Sequence, residues 1–551
     1  MYISRAAWPS SNGKTYTSIY LRQSYREGNH VRKRNLANLT HCDPQEVAAI
    51  ELALRFKGNL AALGSLDNIQ LSQGPSVGAV WVLVETARRL GIQQALGTGF
   101  AAQLALWQVL ARVLEQGSRL SAVRLAQVHA ACAVLGLRRG FEENDLYANL
   151  SWLSAHQEGI EKRLFAQRRG PQKAELFLYD VTSSYLEGED NAYGAYGYNR
   201  DGKKGKKQIV MGLLCDEQGG PVSTEVFRGN TQDAKTFAAQ VKKASQRFGC
   251  ERVTFVGDRG MIKSGQVEDL AQAGFHYITA ITKPQIETLL AARLIQMELF
   301  AEQVCEVERE GVRYVLRRNP IRAAQLAASR ADKQARVEQL CRERNSYLEK
   351  HSRAQVATAE KALGAKIAQL KIEAWLTVQT EGRRLKLTVN QPALEEASRL
   401  DGCYVIKTDL PSSAASKQLI HDRYRDLAEV EQAFRTCKTA HLETRPLYVR
   451  TAEHTRGHVL VVMLAYLIRR ELSQAWSSLD LTVEEGLHQL QTLCSIEVKV
   501  SEGGSCLRLP TPSPAAAALL KALKIQLPDV LPHTPAVVVT RKKLPERRKP
   551  R

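Results

Sequence analysis

The stretch from about residue 174 to 283 alternates short apolar runs with helix-like patterns, and this order constrains the fold more than any other feature. The runs and patterns predict, in chain order, strands at 176–182, 208–215 and 221–227, a helix at 233–248, a strand at 252–257, a helix at 264–273 and a strand at 275–281. Strands that alternate with helices in this way predict an α/β sheet with its ligand crevice at the strand ends.

Three acidic residues stand at distinctive points of this pattern. Asp180 ends the apolar run LFLYD, Asp258 lies near the end of VTFVGDRG, and Glu431 lies within the helix-like stretch YRDLAEVEQAFRTCK. Three strands followed by αβαβ is the order of the ribonuclease H-like fold, which places the two aspartates on the first strand and just after the fourth. Carboxylates delivered in this way can hold a pair of Mg²⁺ ions for phosphodiester chemistry.

The helix predicted at 424–438 separates two neighbouring glutamates. At 100° per residue its apolar stripe consists of Leu427, Val430, Phe434 and Cys437. Glu431 and Lys438 lie at the edge of this stripe, with Tyr424 just beside them. Glu429 projects to roughly the opposite side. Glu431 is therefore predicted to lean over the sheet towards the aspartates, and Glu429 to be an ordinary surface carboxylate.

The charge balance favours a polyanionic partner. The chain has 77 Lys and Arg residues against 57 Asp and Glu residues, a net charge of +20, which favours nucleic acid, although membrane or nonspecific contacts are also compatible with it. Ten scattered cysteines without a CxxC pair argue against a zinc ribbon or a disulfide scaffold. The N-terminus lacks the apolar core of a signal peptide, and the apolar run 459–468 is too short to span a bilayer. A cytoplasmic protein without a membrane segment is expected.

The sequence predicts a multidomain protein with an α/β core that is interrupted by a large insertion. The predicted segments are a small basic β region at 1–43, a helical, DNA-binding domain at 44–170, the first part of the core at 171–283, an insertion with a long polar helix or helical hairpin at 284–399, the second part of the core at 400–475, a C-terminal helical region that could dimerise at 476–539, and a disordered basic tail at 540–551. Packing alone would also explain the apolar positions of the helical domain. The insertion could be a solvated prop, and the tail a solubilising end.

Further basic residues are candidates for DNA contact. The Gly/Tyr/Lys-rich segment 193–207 offers four lysines, Lys203, Lys204, Lys206 and Lys207, although it could equally be a solvated hairpin. Arg259 could meet a phosphate or pair with a carboxylate. His454 and His458 have a spacing that could ligate a metal, but packing or contact with the DNA backbone is the preferred interpretation.

The residues 424–438 also carry a family signature. Tyr424, Glu431 and Lys438 match the spacing of a Tyr-x2-Arg-x3-Glu-x6-Lys motif, in which Leu427 occupies the Arg position and Arg425 or Arg435 could substitute for that Arg. Other similar segments are YDVTSSYLEGE (179–189), GYNRDGKKGKKQIVMGLL (197–214), GNTQDAKTF (229–237), VGDRGMI (256–262) and RPLYVRTAEHTRGHV (445–459). The chain thus resembles bacterial insertion-sequence transposases of the DDE class.

This resemblance implies a ribonuclease H-like catalytic core in which Asp180, Asp258 and Glu431 form the metal-binding catalytic triad. It implies two Mg²⁺ ions, for which Mn²⁺ substitutes, and contacts from Lys438 and Tyr424 to DNA phosphates. The expected reaction is cleavage of transposon ends followed by joining of the 3′-OH to target DNA, by a nucleoid-associated homodimer bound to double-stranded DNA. The alternatives are a metal-dependent nuclease that does not join DNA and a catalytically decayed or domesticated DNA-binding protein.

Overall fold

The computed structural model describes residues 1–9, 15–58, 69–169, 176–188, 190–251, 253–439, 441–500, 505–532, 534, 536–538 and 540. Apart from Thr540, the predicted basic tail at 540–551 lies outside these residues. Among the helices of the described part of the chain, none combines the length and the apolar character needed to cross a bilayer.

The strands have the following bounds: β1 Tyr2–Pro9, β2 Thr15–Glu27, β3 His30–Asn38, β4 Ile69–Ser76, β5 Leu176–Tyr185, β6 Gln208–Asp216, β7 Pro221–Arg228, β8 Thr254–Gly257, β9 His276–Ala280, β10 Cys305–Arg309, β11 Val312–Arg318, β12 Leu376–Glu381, β13 Arg384–Val389, β14 Cys403–Thr408, β15 Cys494–Val500, β16 Ser505–Arg508 and β17 Val530–Leu531.

The α-helices have the following bounds: α1 Pro44–Arg55, α2 Gly78–Arg89, α3 Ile92–Leu96, α4 Phe100–Leu114, α5 Arg119–Val128, α6 Ala131–Leu135, α7 Glu143–Arg169, α8 Asp233–Lys242, α9 Ser264–Gln272, α10 Lys283–Ala291, α11 Pro320–Lys350, α12 Val356–Leu370, α13 Gln391–Ser398, α14 Lys417–Arg425, α15 Leu427–Lys438, α16 Ala452–Ala475, α17 Val483–Gln491 and α18 Pro514–Ala522.

The chain forms two compact units. One consists of Met1–Glu85, Val123–Phe141 and Leu472–Arg551, and the other of Thr86–Ala122 and Glu142–Glu471. The boundaries of these units do not coincide with those of the segments predicted from the sequence. The predicted segment boundaries stay predictions. The first unit contains the antiparallel sheet β1-β2-β3 and a second sheet with the order β17-β16-β15-β4. The residues Val77, Ala130 and Leu531 form a small core in this unit.

The larger unit is built on a mixed sheet with the strand order β10-β11-β14-β9-β8-β5-β6-β7. Strand β5 pairs antiparallel with β6 and parallel with β8, and β8 pairs parallel with β9. The predicted strand order along the chain is thus present in one sheet, with β5 and β8 side by side at its centre. The protein is multidomain and α/β, with a large mixed sheet.

The two faces of β5 have different environments, because successive side chains of a strand point to opposite faces. Phe177, Tyr179 and Val181 belong to a buried core that also contains Phe237 of α8 and Leu270 of α9. The even-numbered residues therefore face the other side of the sheet. Helix α15 packs against β5 on this second side.

The segment 284–399 contributes to the sheet and also has a core of its own. The hairpin β10–β11 pairs with β14 and extends the sheet at that edge. The long helices α11 and α12 and the hairpin β12–β13 enclose a separate apolar cluster that includes Val337, Leu363, Ile367, Trp375 and Leu385. The part of this segment that contains α11, α12, β12 and β13 is therefore packed around its own core, whereas β10 and β11 belong to the large sheet.

Candidate active site

The two aspartates lie side by side because of the register of β5 and β8. Tyr179 is paired with Gly257 in this parallel ladder, so the next residue of each chain segment, Asp180 and Asp258, reaches the same end of the sheet. Asp180 is half-buried and Asp258 is exposed. Each carboxylate Oδ1 accepts the N–H of the following residue, at 2.8 Å for Asp180 and 2.7 Å for Asp258.

Helix α15 supplies the third carboxylate. Its buried face consists of Leu427, Val430, Ala433, Phe434 and Cys437. Glu431 is exposed at the edge of this face and lines a cavity together with Asp180 and Asp258. Glu429 lies next to Gly219 instead. A Cβ added to this glycine would be only 2.4 Å from the Cβ of Glu429. The structure therefore brings Glu431, and not Glu429, to the two aspartates.

The cavity shared by the three acids has a volume of about 610 Å³. Of the predicted DNA-binding residues, Tyr424 and Arg425 also line it. The rest of its wall was not predicted from the sequence and consists of Glu302, Arg317, Asn319, Pro320, Ile321, Tyr404, Leu427 and Ala428. Several of these residues belong to the junction between β11 and α11, so the segment 284–399 contributes directly to the wall of the site.

The charges in the cavity act on one another. The pKa of Asp180 is raised to about 7, chiefly by burial and to a lesser extent by the negative charges of Asp258 and Glu431. The hydrogen bond from the Val181 N–H and the positive charge of Arg200 act in the opposite direction. Burial and the two neighbouring acids thus disfavour the ionised form of Asp180, and a bound cation would favour it.

Tyr424 contacts the acids. Its hydroxyl donates a hydrogen bond to Asp258 Oδ1 at 3.2 Å. Burial raises the pKa of Tyr424, and the neighbouring Asp258 carboxylate adds to the effect. The phenol is therefore a hydrogen-bond donor that orients Asp258 in this structure.

Lys438 is held by a network behind the acids. Its Nζ donates to Thr182 Oγ1 at 3.0 Å and lies 2.6 Å from Asp201 Oδ1. The Asp201 carboxylate, which is 1% exposed, also pairs with Arg445 and accepts the N–H of Tyr185. Burial lowers the pKa of Lys438. Two cations on one carboxylate leave a net positive charge beside β5.

The other predicted DNA-binding residues lie on the surface. Arg259, Arg435, Lys203, Lys204 and Lys206 are exposed, and Lys207 is half-buried. The Nζ of Lys206 lies 3.0 Å from Glu187, and that of Lys203 lies 5.8 Å from the centre of the Tyr185 ring. None of these side chains is among the residues that line the cavity.

One ion pair near the acids was missed in the sequence. The Arg200 guanidinium donates to both oxygens of Asp233 at 2.6 Å, and the Arg200 N–H donates to Ser183 Oγ. The segments 197–214 and 229–237, which carry these two residues, were recognised as similar to the transposase family, and this was the available signal. The ion pair joins the segment 193–207 to α8, and the hydrogen bond to Ser183 joins it to β5, the strand that carries Asp180.

The donor set fits a divalent metal ion in kind. Carboxylate oxygens are the ligands that Mg²⁺ and Mn²⁺ prefer, and burial together with the two neighbouring acids raises the pKa of Asp180. Within the described residues, however, no group of three or more His, Cys, Asp or Glu side chains is close enough to hold one ion. Binding would therefore require the three carboxylates to lie closer together than they do in this structure.

Comparisons with known proteins show the family of the chain. The family described as "Transposase DDE domain" matches residues 171–468, and "IS1634 family transposase, N-terminal domain" matches residues 9–62. The chain belongs to the transposase DDE family and is an insertion-sequence transposase by these two matches. A search of curated proteins finds no significant match.

One similar solved structure is the cryo-EM structure of a piggyBac transposase synaptic complex with hairpin DNA. Its sequence identity to this chain is 9%, its TM-score is 0.35, and the match covers 75% of this chain and 76% of the other. A likeness at this level carries no argument about the present site.

Proposed function

We propose that this protein cleaves DNA at the ends of an insertion sequence and joins the freed 3′-OH to target DNA. The observation that carries this proposal is the meeting of Asp180, Asp258 and Glu431, from β5, the end of β8 and α15, in one cavity of about 610 Å³. These three carboxylates are the proposed catalytic residues, and the family match spans all of them. No covalent protein nucleophile is needed for this chemistry.

The three carboxylates would hold two Mg²⁺ ions, or Mn²⁺ in their place. When bound, such ions polarise the scissile phosphate, activate the attacking water or 3′-OH, and stabilise the leaving oxygen. The residues of the chain prepare the site for them. Asp180 would release its proton as a cation binds, and Tyr424 would keep the Asp258 carboxylate in orientation through its hydroxyl.

Basic groups along β5 are proposed to guide the DNA. Asp180, Thr182 and Ser184 share one face of this strand, and Lys438 contacts Thr182 with a net positive charge remaining in its network. The exposed Arg425 lines the cavity of the acids, Arg259 follows Asp258 in the chain, and Arg435 lies one helical turn after Glu431. We propose that these groups, with the exposed lysines of 193–207, bind phosphates of a double-stranded DNA end.

The core is proposed to be ribonuclease H-like. The order β7-β6-β5-β8-β9 within the sheet, with α8 between β7 and β8 and α9 between β8 and β9, supports this assignment. Because each transposon has two ends, we further propose that the active complex is a homodimer with one catalytic site for each end. A bacterial, cytoplasmic, nucleoid-associated location is part of the same proposal.

The direct test is strand transfer in vitro with the purified full-length protein. The substrate is a labelled duplex that carries a transposon end taken from the DNA flanking the gene, with a supercoiled plasmid as target. The wild type is expected to produce joined product with Mg²⁺ or Mn²⁺, whereas Asp180→Asn binds the duplex without cleaving it. Cleavage without joining would instead indicate a nuclease, and binding with no cleavage would indicate a decayed copy.

A further inference from the structure

A second cavity in the larger unit contains buried positive charge that the proposed chemistry does not use. It has a volume of about 230 Å³ and is lined by Arg112, Gly117, Ser118, Arg119, Tyr147, Glu443, Pro446, Tyr448, Val449 and His458. Arg112, Arg119 and His458 are only 7%, 6% and 7% exposed. No residue of the proposed metal site belongs to this cavity.

Within the part of the chain that the structure describes, the two guanidinium groups have no carboxylate partner. Arg112 donates to the Gly117 carbonyl at 3.1 Å, and Arg119 lies 2.9 Å from His458 Nδ1. Among the described residues neither forms an ion pair, and Glu443, an exposed acid at the cavity, acts on Arg112 only through its electrostatic field. A buried charge without a partner is costly, so a site of this kind needs an anion to compensate it.

The protonation states keep the cavity positive at neutral pH. Burial lowers the pKa of Arg112 to about 10, and burial together with the charge of Arg112 lowers the pKa of Arg119 to about 9. Burial and both arginines hold the pKa of His458 well below its usual value. Both guanidinium groups are therefore charged, while His458 is neutral and accepts the Arg119 N–H.

The position of the cavity relates it to the proposed catalytic acids. Ser184, on the same face of β5 as Asp180, donates its hydroxyl to the Thr444 carbonyl at 3.4 Å, and Thr444 follows Glu443 of the cavity. The four residues of strand from Asp180 to Ser184 span about 13 Å. This distance corresponds to about four base pairs of DNA at about 3.4 Å each. Tyr448, 70% exposed at this cavity, offers a ring to a sugar or base.

We infer that this cavity binds one phosphate group of the transposon-end DNA, several base pairs from the scissile bond, through Arg112 and Arg119. The hydroxyls of Ser118 and Tyr147 supply further polar groups at the same cavity. This inference rests on the proposed function for the identity of the DNA, whereas the anion-binding chemistry of the cavity does not depend on cleavage.

The test uses the full-length Arg119→Met variant, which removes the charge and keeps an unbranched apolar side chain. A structural role for Arg119 predicts a lower melting temperature. The phosphate site predicts the opposite, because the variant relieves repulsion between two buried cations. The exposed Arg342 on α11 provides a control, since Arg342→Met makes the same change of charge away from the cavity.

Three measurements are compared. Inorganic phosphate, against chloride at equal ionic strength, should raise the Tm of the wild type and of Arg342→Met but not that of Arg119→Met. Affinity for the end duplex should fall about tenfold in Arg119→Met, as expected for one charged hydrogen-bonding group, and the salt dependence should lose about one phosphate contact. A single neutral methylphosphonate at the contacted position of the duplex should weaken binding by the wild type by the same factor. It should leave the affinity of Arg119→Met unchanged.

The outcomes separate the alternatives. A less stable Arg119→Met with unchanged DNA affinity would assign Arg119 to packing and overturn the inference. Stabilisation by free phosphate with no sensitive position in the duplex would make the cavity a site for a small anion and overturn the DNA assignment. If the DNA effects appear but the wild type cleaves no end, the phosphate site stands and the proposed catalytic function fails.

Discussion

Replacement of Asp180 by asparagine should stabilise the metal-free protein at alkaline pH while abolishing cleavage. The pKa of Asp180 is raised from 3.8 to about 7 by burial and by its acidic neighbours. A folded-state pKa above the unfolded-state value means that its stabilising contribution is complete below about pH 4 and is lost as pH rises through about 7. Asparagine carries no charge, and its Oδ1 can still accept the Val181 N–H.

The magnitude follows from the pKa difference of about 3 units, which corresponds to about 4 kcal/mol at pH 8.5. Solvent in the open cavity screens part of this repulsion, so an advantage of about 2–4 kcal/mol is expected for Asp180→Asn. The advantage should shrink as the pH falls from 8.5 to 5, because folded Asp180 is then protonated.

Thermal unfolding in EDTA at pH 5 and pH 8.5 measures this effect. Asp332→Asn, at an exposed position of α11, is the control and should change the free energy of unfolding by no more than about 0.5 kcal/mol. Addition of Mg²⁺ at pH 8.5 should stabilise the wild type and not Asp180→Asn. A less stable Asp180→Asn at pH 8.5 would refute the argument that burial and the neighbouring acids disfavour the ionised form of Asp180.

Three other substitutions test single contacts. Tyr424→Phe removes the hydrogen bond to Asp258 and should slow cleavage about tenfold with unchanged DNA affinity; a fall in affinity alone, measured by titration, would instead assign the phenol to DNA. Asp201→Asn removes the buried partner of Lys438 and should lower the free energy of unfolding by about 3 kcal/mol, whereas an unchanged value in urea titration would show that the network is not stabilising. Gly457→Ala places a Cβ 2.2 Å from a carbonyl of α7 and should cost about 1–3 kcal/mol; unaltered thermal unfolding would contradict this close approach of α16.

The local pattern of the sequence predicts the part of the site that the sheet and one helix position. Apolar runs with turn signals mark β5 to β9, and the order of these strands places Asp180 beside Asp258. The helical period separates Glu431 from Glu429, because the buried stripe of α15 fixes which side chains can reach the sheet. Each of these inferences depends on short-range periodicity, which is visible in one sequence.

Contacts between distant segments could not be predicted in this way. The sequence pattern predicts Lys438 only as a cation near the acids. In the structure its ammonium group contacts Asp201, a residue of a polar loop that is far away in the chain. Arg119 lies in a helical pattern that gives no sign of burial beside His458. The segment expected to be C-terminal and helical contains the strands β15 and β16 next to α17 and α18, and the alternating run CSIEVKV is the local pattern that favours a strand there.

The central claim is that Glu431 completes a catalytic site with Asp180 and Asp258 in an active transposase. Excision of a marked mini-element with the flanking ends, compared among wild type, Glu431→Gln and Glu429→Gln, tests it most directly. The account predicts excision by the wild type and by Glu429→Gln, and none by Glu431→Gln. Excision by Glu431→Gln at the wild-type rate would contradict it.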